Sequence, residues 1–205
     1  MVFWCGEGIY REQHSKNEQA LTMDAEKPLR DEIRDIMQND FLVFEEVCIN
    51  SLLHEKKLRA DLIIIPKDDR FTEQTFAIEV KNPRPDWQPK HWSYVAKQAF
   101  DYIGGKLEES IDILKNRKID ASFIFPSPDY HCPGGNYDQH IIQGILQLAA
   151  QFRIGRATRA VDSVCGSFTL SIGANDIWTP KSGWTSQAVY LLKNKIRHGS
   201  GKISR

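Results

Sequence analysis

The pattern of apolar and polar positions along the chain predicts helices in four places. Two of them begin at a residue able to cap the first turn, which is Thr22 or Asp24 for the first helix and Asp138 for the third. The second ends where Gly104 and Gly105 provide a C-terminal stop. The predicted helices run from Thr22 to Asn39, from His91 to Ile103, onward from Asp138, and from Ser186 to Arg197.

Runs of β-branched and aromatic residues predict the strands between these helices. The predicted strands cover Phe41–Ile49, Leu58–Ile65, Thr75–Lys81, Ala121–Phe125 and Ser167–Ile172. The segment from Lys106 to Asn116 favours a further helix, and the segment GRATRAVDSV has no clear period. Strands flanked by helices in this order are typical of an α/β fold with a central mixed sheet and helices on both faces.

Length and composition fit one ordinary globular domain. The chain has 205 residues, of which 41% are hydrophobic and 26% charged. Residues 1–21 are a possible N-terminal arm, and residues 198–205 form a flexible basic tail in this prediction. No apolar run is long enough to span a membrane, and the first residues lack the basic and apolar regions of a signal peptide, so a cytoplasmic protein without a membrane partner is expected.

Two charged residues stand side by side on one face of an otherwise apolar strand. Residues two apart along a strand share a face, so Glu79 and Lys81 project together while Ile78 and Val80 face the opposite core. A Glu-x-Lys pair on the solvent face of a hairpin is a common surface pattern and is one interpretation. The apolar run from Leu62 to Ile65 favours a second interpretation, in which the strands lie in the interior of the sheet. Charges at the end of a buried strand are unfavourable, so a function would explain their presence.

The register of the two strands brings a third ionisable group to this pair. If the strands form an antiparallel hairpin in which Ile65 faces Thr75, Asp61 lies directly opposite Glu79. Two carboxylates at that separation repel each other unless a cation lies between them, and such oxygen ligands suit Mg²⁺ or Mn²⁺. Lys81, on the same face, can hold an attacking water or stabilise charge on phosphorus.

The order of these residues resembles the PD-(D/E)xK nuclease superfamily. In that pattern a strand that carries Asp is followed by a loop and then by a strand with the sequence apolar-Glu-apolar-Lys. The match runs in motif order from Glu26 to Tyr102, with Ala60 where the proline of the name would stand. The resemblance implies a restriction-endonuclease-like αβββαβ core and one or two Mg²⁺ or Mn²⁺ ions, with Lys81 orienting or deprotonating water. Its implied metal ligands are Asp61, Glu79, the Val80 carbonyl and Glu26, with Glu32 as a second choice for the helix acid. An alternative for Glu26 is an acid that serves the helix dipole.

The second predicted helix carries a motif similar to the Q-x-x-x-Y signature of the RecB-like branch of that superfamily. Gln98 and Tyr102 are four residues apart and share one helical face. The resemblance assigns both residues to substrate contact. The alternative is a surface Gln beside a core Tyr.

The segment NPRPDWQPKHW, directly after the strand with Glu79, combines prolines, tryptophans and basic residues. Arg84 and Lys90 are candidates for contact with phosphate, and Trp87 or Trp92 for stacking on a base. Packing of the tryptophans under the helix is the alternative.

The overall charge gives no basic field that would indicate a nucleic-acid partner, since Lys plus Arg and Asp plus Glu are both 27. A phosphate-binding surface would have to come from local clusters, namely Lys56, Lys57 and Arg59, then Arg153, Arg156 and Arg159, and finally Lys193, Lys195, Arg197 and Lys202. No P-loop is present, so no nucleotide cofactor is expected, and the spacing of the histidines does not indicate zinc.

The sequence therefore predicts a Mg²⁺-dependent deoxyribonuclease, with an endonuclease of phage, restriction or repair and recombination type favoured. One alternative is an RNA endonuclease with the same site. The other is a non-catalytic nucleic-acid-binding protein that retains the fold, against which the intact set of Asp61, Glu79 and Lys81 argues. A homodimer is plausible for double-strand cleavage, although no motif indicates it.

Overall fold

The computed structural model describes residues 26–51, 57–82, 89–107, 111–127, 136–159 and 168–193. The predicted arm at residues 1–21, the tail at residues 198–205 and the capping residues Thr22 and Asp24 lie outside these ranges. The division of the chain into one domain with an arm and a tail stays a prediction.

The described strands form one mixed sheet of nine strands. They are β1 (Phe41–Asn50), β2 (Lys57–Pro66), β3 (Phe76–Val80), β4 (Lys106–Leu107), β5 (Ala121–Phe125), β6 (Ile154–Arg159), β7 (Phe168–Ile172), β8 (Asn175–Thr179) and β9 (Gly183–Trp184). Their order in the sheet is β4, β1, β2, β3, β5, β6, β7, β8, β9. The pairs β3–β5 and β5–β6 are parallel and the other pairs are antiparallel, which confirms the predicted mixed sheet.

Helices cover both faces of the sheet, as predicted. They are α1 (residues 26–37), α2 (Pro89–Tyr102), α3 (Asn136–Ala150) and α4 (Ser186–Lys193). Ile33 of α1 and Leu192 of α4 pack on one face, and Tyr102 of α2 and Ile142 of α3 pack on the other. Among the described residues, no helix has the length and apolarity needed to cross a membrane.

The predicted end of α2 is confirmed. The helix stops at Tyr102, and Gly104 has a φ of 72°, a left-handed conformation that glycine adopts without steric penalty. A side chain on Gly105 would meet the Ile49 side chain at 2.5 Å, so the glycine also allows the chain to cross closely over β1.

The predicted helix from Lys106 to Asn116 is wrong. Lys106 and Leu107 instead form β4, which pairs with the end of β1, and a single 3₁₀ turn follows at Asp112–Leu114. An available strand edge decides the conformation here, against a local sequence without strong strand propensity. The strands β6, β8 and β9 were not predicted, because each is short and β6 lacks the apolar alternation of a typical strand.

The predicted register of β2 and β3 is confirmed. Leu62 pairs with Ile78, and Ile64 pairs with Phe76. Continuing this register by one residue sets Asp61 opposite Glu79, directly beside the buried pair of Leu62 and Ile78.

Candidate active site

Asp61 and Glu79 lie at the same end of the β2–β3 pair. The Val80 N–H donates a hydrogen bond to Asp61 Oδ2 at 2.7 Å, so the Asp61 side chain is fixed against the backbone of β3. Glu79 is fully buried on the neighbouring position of that strand. The strand pairing thus brings together the two predicted carboxylates.

Lys81 lies between these two carboxylates. Its ammonium forms an ion pair with Glu79 Oε1 and lies 4.0 Å from Asp61 Oδ2. The side chain is 20% exposed, so the pairing takes place largely out of water. The three residues of the predicted core meet in one site, with a cationic group between the two anionic ones.

Tyr102 holds Glu79 from the side of α2. Its hydroxyl lies 2.5 Å from Glu79 Oε2 and 2.9 Å from the Arg59 carbonyl oxygen, and it accepts a hydrogen bond from Gln98 Nε2 at 2.8 Å. Gln98 and Tyr102 therefore meet the candidate site, as their helical spacing predicted. In this position they orient Glu79; contact with a substrate stays a prediction.

The hydroxyl of Tyr102 has one proton and two acceptors, the Glu79 carboxylate and the Arg59 carbonyl. The single proton can be donated to only one of these acceptors at a time. Burial and the nearby charge of Asp61 raise the pKa of Glu79 to about 7, whereas the charge of Lys81 and the hydrogen bond from Tyr102 oppose the rise. The ionised form of Glu79 therefore depends on its cationic neighbour.

Burial and neighbouring charges also shift the pKa values of the other ionisable groups of the site. Burial raises the pKa of Asp61 above its ordinary value, against the opposing charge of Lys81. Burial alone would lower the pKa of Lys81, but the carboxylates of Glu79 and Asp61 raise it overall, so Lys81 is an ammonium in this arrangement. Burial and the charge of Glu79 raise the pKa of Tyr102, which remains a neutral phenol.

Glu26 approaches the site from α1 but does not join the two carboxylates. Its Oε1 accepts a hydrogen bond from the Asn82 N–H at 3.3 Å. Burial raises its pKa, and the charges of Lys81 and Asp61 also act on it. Glu32, the second choice for the helix acid, forms an ion pair with Arg159 at 2.8 Å.

The carboxylates fit a hard divalent cation, although among the described residues no group of three or more His, Cys, Asp or Glu side chains is arranged to hold a metal. Mg²⁺ needs only one or two carboxylates and completes its shell with water and phosphate oxygens. Glu79 Oε1 is buried, makes no hydrogen bond of good geometry to a described residue and forms an ion pair with the Lys81 ammonium. The ammonium is therefore the cation that balances Glu79 in this structure.

The Val80 carbonyl is directed to the same place. In a strand the N–H and C=O of one residue point toward the same neighbouring strand. The Val80 N–H points to Asp61 on β2, whereas the next N–H, that of Lys81, points the other way and donates to the Phe125 carbonyl at 2.8 Å. The Val80 carbonyl therefore faces the Asp61 side and fits the role of a third oxygen ligand.

Three of the candidate substrate-binding residues have no described side chain. Arg84 and Trp87 lie outside the described residues, and Lys90 lies in α2 without a described side chain. Trp92 is 1% exposed and packs with α3 and β5, so the packing alternative holds for it.

The structure adds Arg30 and Glu46 beside the site, both of which the sequence interpretation passed over. Arg30 Nη1 lies 2.5 Å from Glu46 Oε1, and Arg59 Nη1 lies 3.3 Å from Glu46 Oε2. Sequence signals for both exist. Arg30 follows Glu26 by four residues and so shares its helix face, and Glu46 belongs to a polar pair that interrupts the apolar strand β1.

Comparison of the chain with protein-family models, with curated proteins and with solved structures finds no match. The site is therefore interpreted from its own residues and geometry.

Proposed function

We propose that this protein is a divalent-metal-dependent nuclease with a PD-(D/E)xK site that hydrolyses DNA phosphodiester bonds as an endonuclease. The observation that carries the proposal is the Lys81 ammonium between Asp61 and the fully buried Glu79, at the end of an apolar strand pair. Burial of a carboxylate is expensive, and strongly perturbed groups of this kind concentrate at functional sites.

The element order supports the proposal. Helix α1, strands β1 to β3, helix α2 and strand β5 follow one another as expected for an αβββαβ core, with the two-residue β4 inserted. Gln98 and Tyr102 reach Glu79 from α2, where the resemblance expects them. Glu26 lies at the opposite side of the site on α1.

In the proposed mechanism Asp61, Glu79 and the Val80 carbonyl would hold Mg²⁺ or Mn²⁺, with Glu26 of α1 as a further candidate ligand. The bound metal would polarise a phosphoryl oxygen and lower the pKa of a water. Tyr102 and Gln98 keep Glu79 in the orientation that ligation needs.

Lys81 has one of two roles in this mechanism. As an ammonium it would orient the attacking water and stabilise the charge that develops on the phosphate. As a neutral amine it would accept a proton from that water, which requires that the charges of Glu79 and Asp61 no longer raise its pKa. Binding of a divalent cation by the two carboxylates would offset those charges.

The test is cleavage of circular single-stranded DNA and supercoiled duplex DNA in Mg²⁺, Mn²⁺ or EDTA. We expect metal-dependent cutting of circles by the wild type, and loss of cutting in Glu79→Ala and Lys81→Ala. Glu73→Ala is the matched control, because Glu73 is an exposed acid in the loop between β2 and β3.

RNA tested in parallel separates the substrates. Cutting of RNA alone would replace the DNA assignment with an RNA endonuclease that uses the same site. Absence of cutting on every substrate would contradict the nuclease proposal and favour a binding protein with this fold.

A further inference from the structure

We propose that Arg30 and Arg59, linked by Glu46, form an arginine clamp that binds one phosphate group of a DNA strand beside Asp61. The clamp rests on the proposed function for its ligand, but its geometry is independent of the metal site. Four observations carry it.

The first observation is a break in the alternation of β1 and β2 at the same level. On β1, Phe44 and Val47 are three residues apart, yet both pack on the face covered by α2. On β2, Ala60 and Ile63 are also three apart and pack on that face. Regular strands place only residues at even spacing on one face, so both strands are locally irregular.

The break falls on one position of the register, which is the pair Glu46 and Asp61. The neighbouring pairs are Glu45 with Leu62 and Val47 with Ala60, so the pairing continues on both sides. Glu46 has a φ of 53°, in the left-handed region that a glutamate rarely adopts within a strand. Irregular strand positions of this kind recur next to active sites, where they redirect a side chain.

The second observation is what the Glu46 carboxylate holds. One of its oxygens pairs with Arg30 from α1 and the other with Arg59 from β2. Two guanidinium groups from separate elements are thereby fixed next to each other, at a distance from Asp61 at which both lower the pKa of its carboxyl. Like charges are brought together in this way at sites for anions.

The third observation is unused hydrogen-bonding capacity. Each guanidinium has five N–H donors, and the contacts of both side chains to described residues use Nη1 alone. Arg59 is half exposed and can offer its remaining donors to a ligand, while Arg30 is 12% exposed and fixed against the protein. A planar fork of this type matches the oxygens of a phosphate.

The fourth observation is the balance of charge. One Glu46 carboxylate meets two guanidinium groups, those of Arg30 and Arg59, so the clamp itself carries one positive charge. A phosphodiester carries a single negative charge and would neutralise it.

Arg34 provides the matched control on the same helix. It follows Arg30 by one turn and pairs with carboxylates as well, namely Asp31, Asp35 and Glu45. Unlike Arg30 and Arg59, it does not pair with Glu46. The two arginines therefore share their helix and their kind of pairing but differ in the carboxylates that they contact.

The test measures binding rather than cleavage, by fluorescence anisotropy of labelled single-stranded and duplex DNA in EDTA over a range of salt concentrations. We expect Arg30→Ala and Arg59→Ala each to weaken binding roughly tenfold and to lower the slope of log K against log salt by about 0.7 to 0.9. Arg34→Ala should bind like the wild type. Arg30→Lys and Arg59→Lys should keep the salt slope but lose several-fold in affinity, since a lysine lacks the planar fork.

Circular dichroism melting of each variant shows whether it is folded at the assay temperature. If an alanine variant is unfolded, the lysine variant at the same position replaces it in the binding test. Wild-type affinity in the Arg30 and Arg59 variants, an equal loss in Arg34→Ala, or no DNA binding by the wild type would each overturn the clamp. Its failure is separable from that of the nuclease proposal. Protein that binds through both arginines and cuts nothing keeps the clamp, whereas protein that cuts DNA but binds equally without them keeps only the nuclease.

Discussion

Both ends of the β2–β3 pair contain fully buried side chains, but these side chains affect the stability of the protein in opposite ways. At one end Leu62, Ile64 and Ile78 are fully buried in an apolar core, and their burial stabilises the fold. At the other end Glu79 is just as buried, and its charge is unfavourable there. Within the same strand pair, the apolar residues therefore stabilise the fold, whereas the buried charge of Glu79 destabilises it.

The largest effect is expected at the charged end, from Glu79→Gln. The amide keeps the size of the side chain but removes the charge of a proposed metal ligand and the partner of Lys81. We expect cleavage of supercoiled DNA in Mg²⁺ to fall by roughly 10²- to 10⁴-fold. At pH 8 in EDTA the melting temperature should stay the same or rise, because a buried charge is lost.

Glu73→Gln is the control, since Glu73 is exposed. A Glu79→Gln variant that melts well below the wild type at pH 8 would contradict the division between the two ends, because Glu79 would then contribute to stability.

The next largest effect is expected at the apolar end, from Ile64→Ala. Ile64 pairs with Phe76 and belongs to the core on the face covered by α1 and α4. Its truncation should lower the free energy of unfolding by about 2 to 5 kcal/mol, measured by urea denaturation. Cleavage per folded molecule should be unchanged.

Ile113→Ala is the matched control, because this isoleucine is 44% exposed, and it should change the free energy of unfolding by less than about 0.5 kcal/mol. Loss of specific activity in folded Ile64→Ala would show that the two ends are mechanically coupled.

The difference between the two ends also explains what the sequence could predict. The apolar run from Leu62 to Ile65 and the strand with Glu79 are locally distinct, and an antiparallel pairing with Ile65 opposite Thr75 is enough to bring Asp61 opposite Glu79, so this meeting was predictable. The helix stop at Gly104 was predictable for a similar reason.

Features decided by distant contacts were not predictable. The strand β4 pairs with the edge that β1 offers, and Glu46 pairs with Arg30 and Arg59 from other elements. The hydrogen bond between Tyr102 and Glu79 could not be predicted. The sequence predicted only that Tyr102 shares a helix face with Gln98. The sequence also could not decide which acid of α1 approaches the site, because that depends on how the helix lies relative to β3.

A third effect concerns pH and sharpens the comparison at the charged end. The pKa of Glu79 is raised, mainly by burial, from 4.5 to about 7. A carboxyl with a higher pKa in the folded state binds more protons there. Its contribution to the free energy of unfolding is fully present below about pH 4.5 and is lost as the pH rises through about 7.

We therefore expect the free energy of unfolding of the wild type in EDTA to fall by on the order of 1 to 3 kcal/mol relative to that of Glu79→Gln between these two pH values. Urea denaturation at each pH measures this change. Mg²⁺ added at pH 8 should raise the melting temperature of the wild type and not that of the variant, because only the wild type retains the ligand. Parallel pH profiles for the two proteins would show that Glu79 is not the group that titrates.

The smallest effect is expected from Tyr102→Phe, which keeps the buried ring and removes the hydroxyl that links α2 to the site. The hydrogen bond from Tyr102 lowers the pKa of Glu79, so its loss raises that pKa further and leaves less carboxylate at neutral pH. The Mg²⁺ concentration for half-maximal cleavage should rise roughly tenfold, and the pH profile of cleavage should move to higher pH. Tyr94→Phe, on the same helix but 68% exposed, should change neither. A Tyr102→Phe variant with the wild-type metal requirement and pH profile would reduce Tyr102 to a packing residue, and the two ends of the strand pair would then differ in Asp61, Glu79 and Lys81 alone.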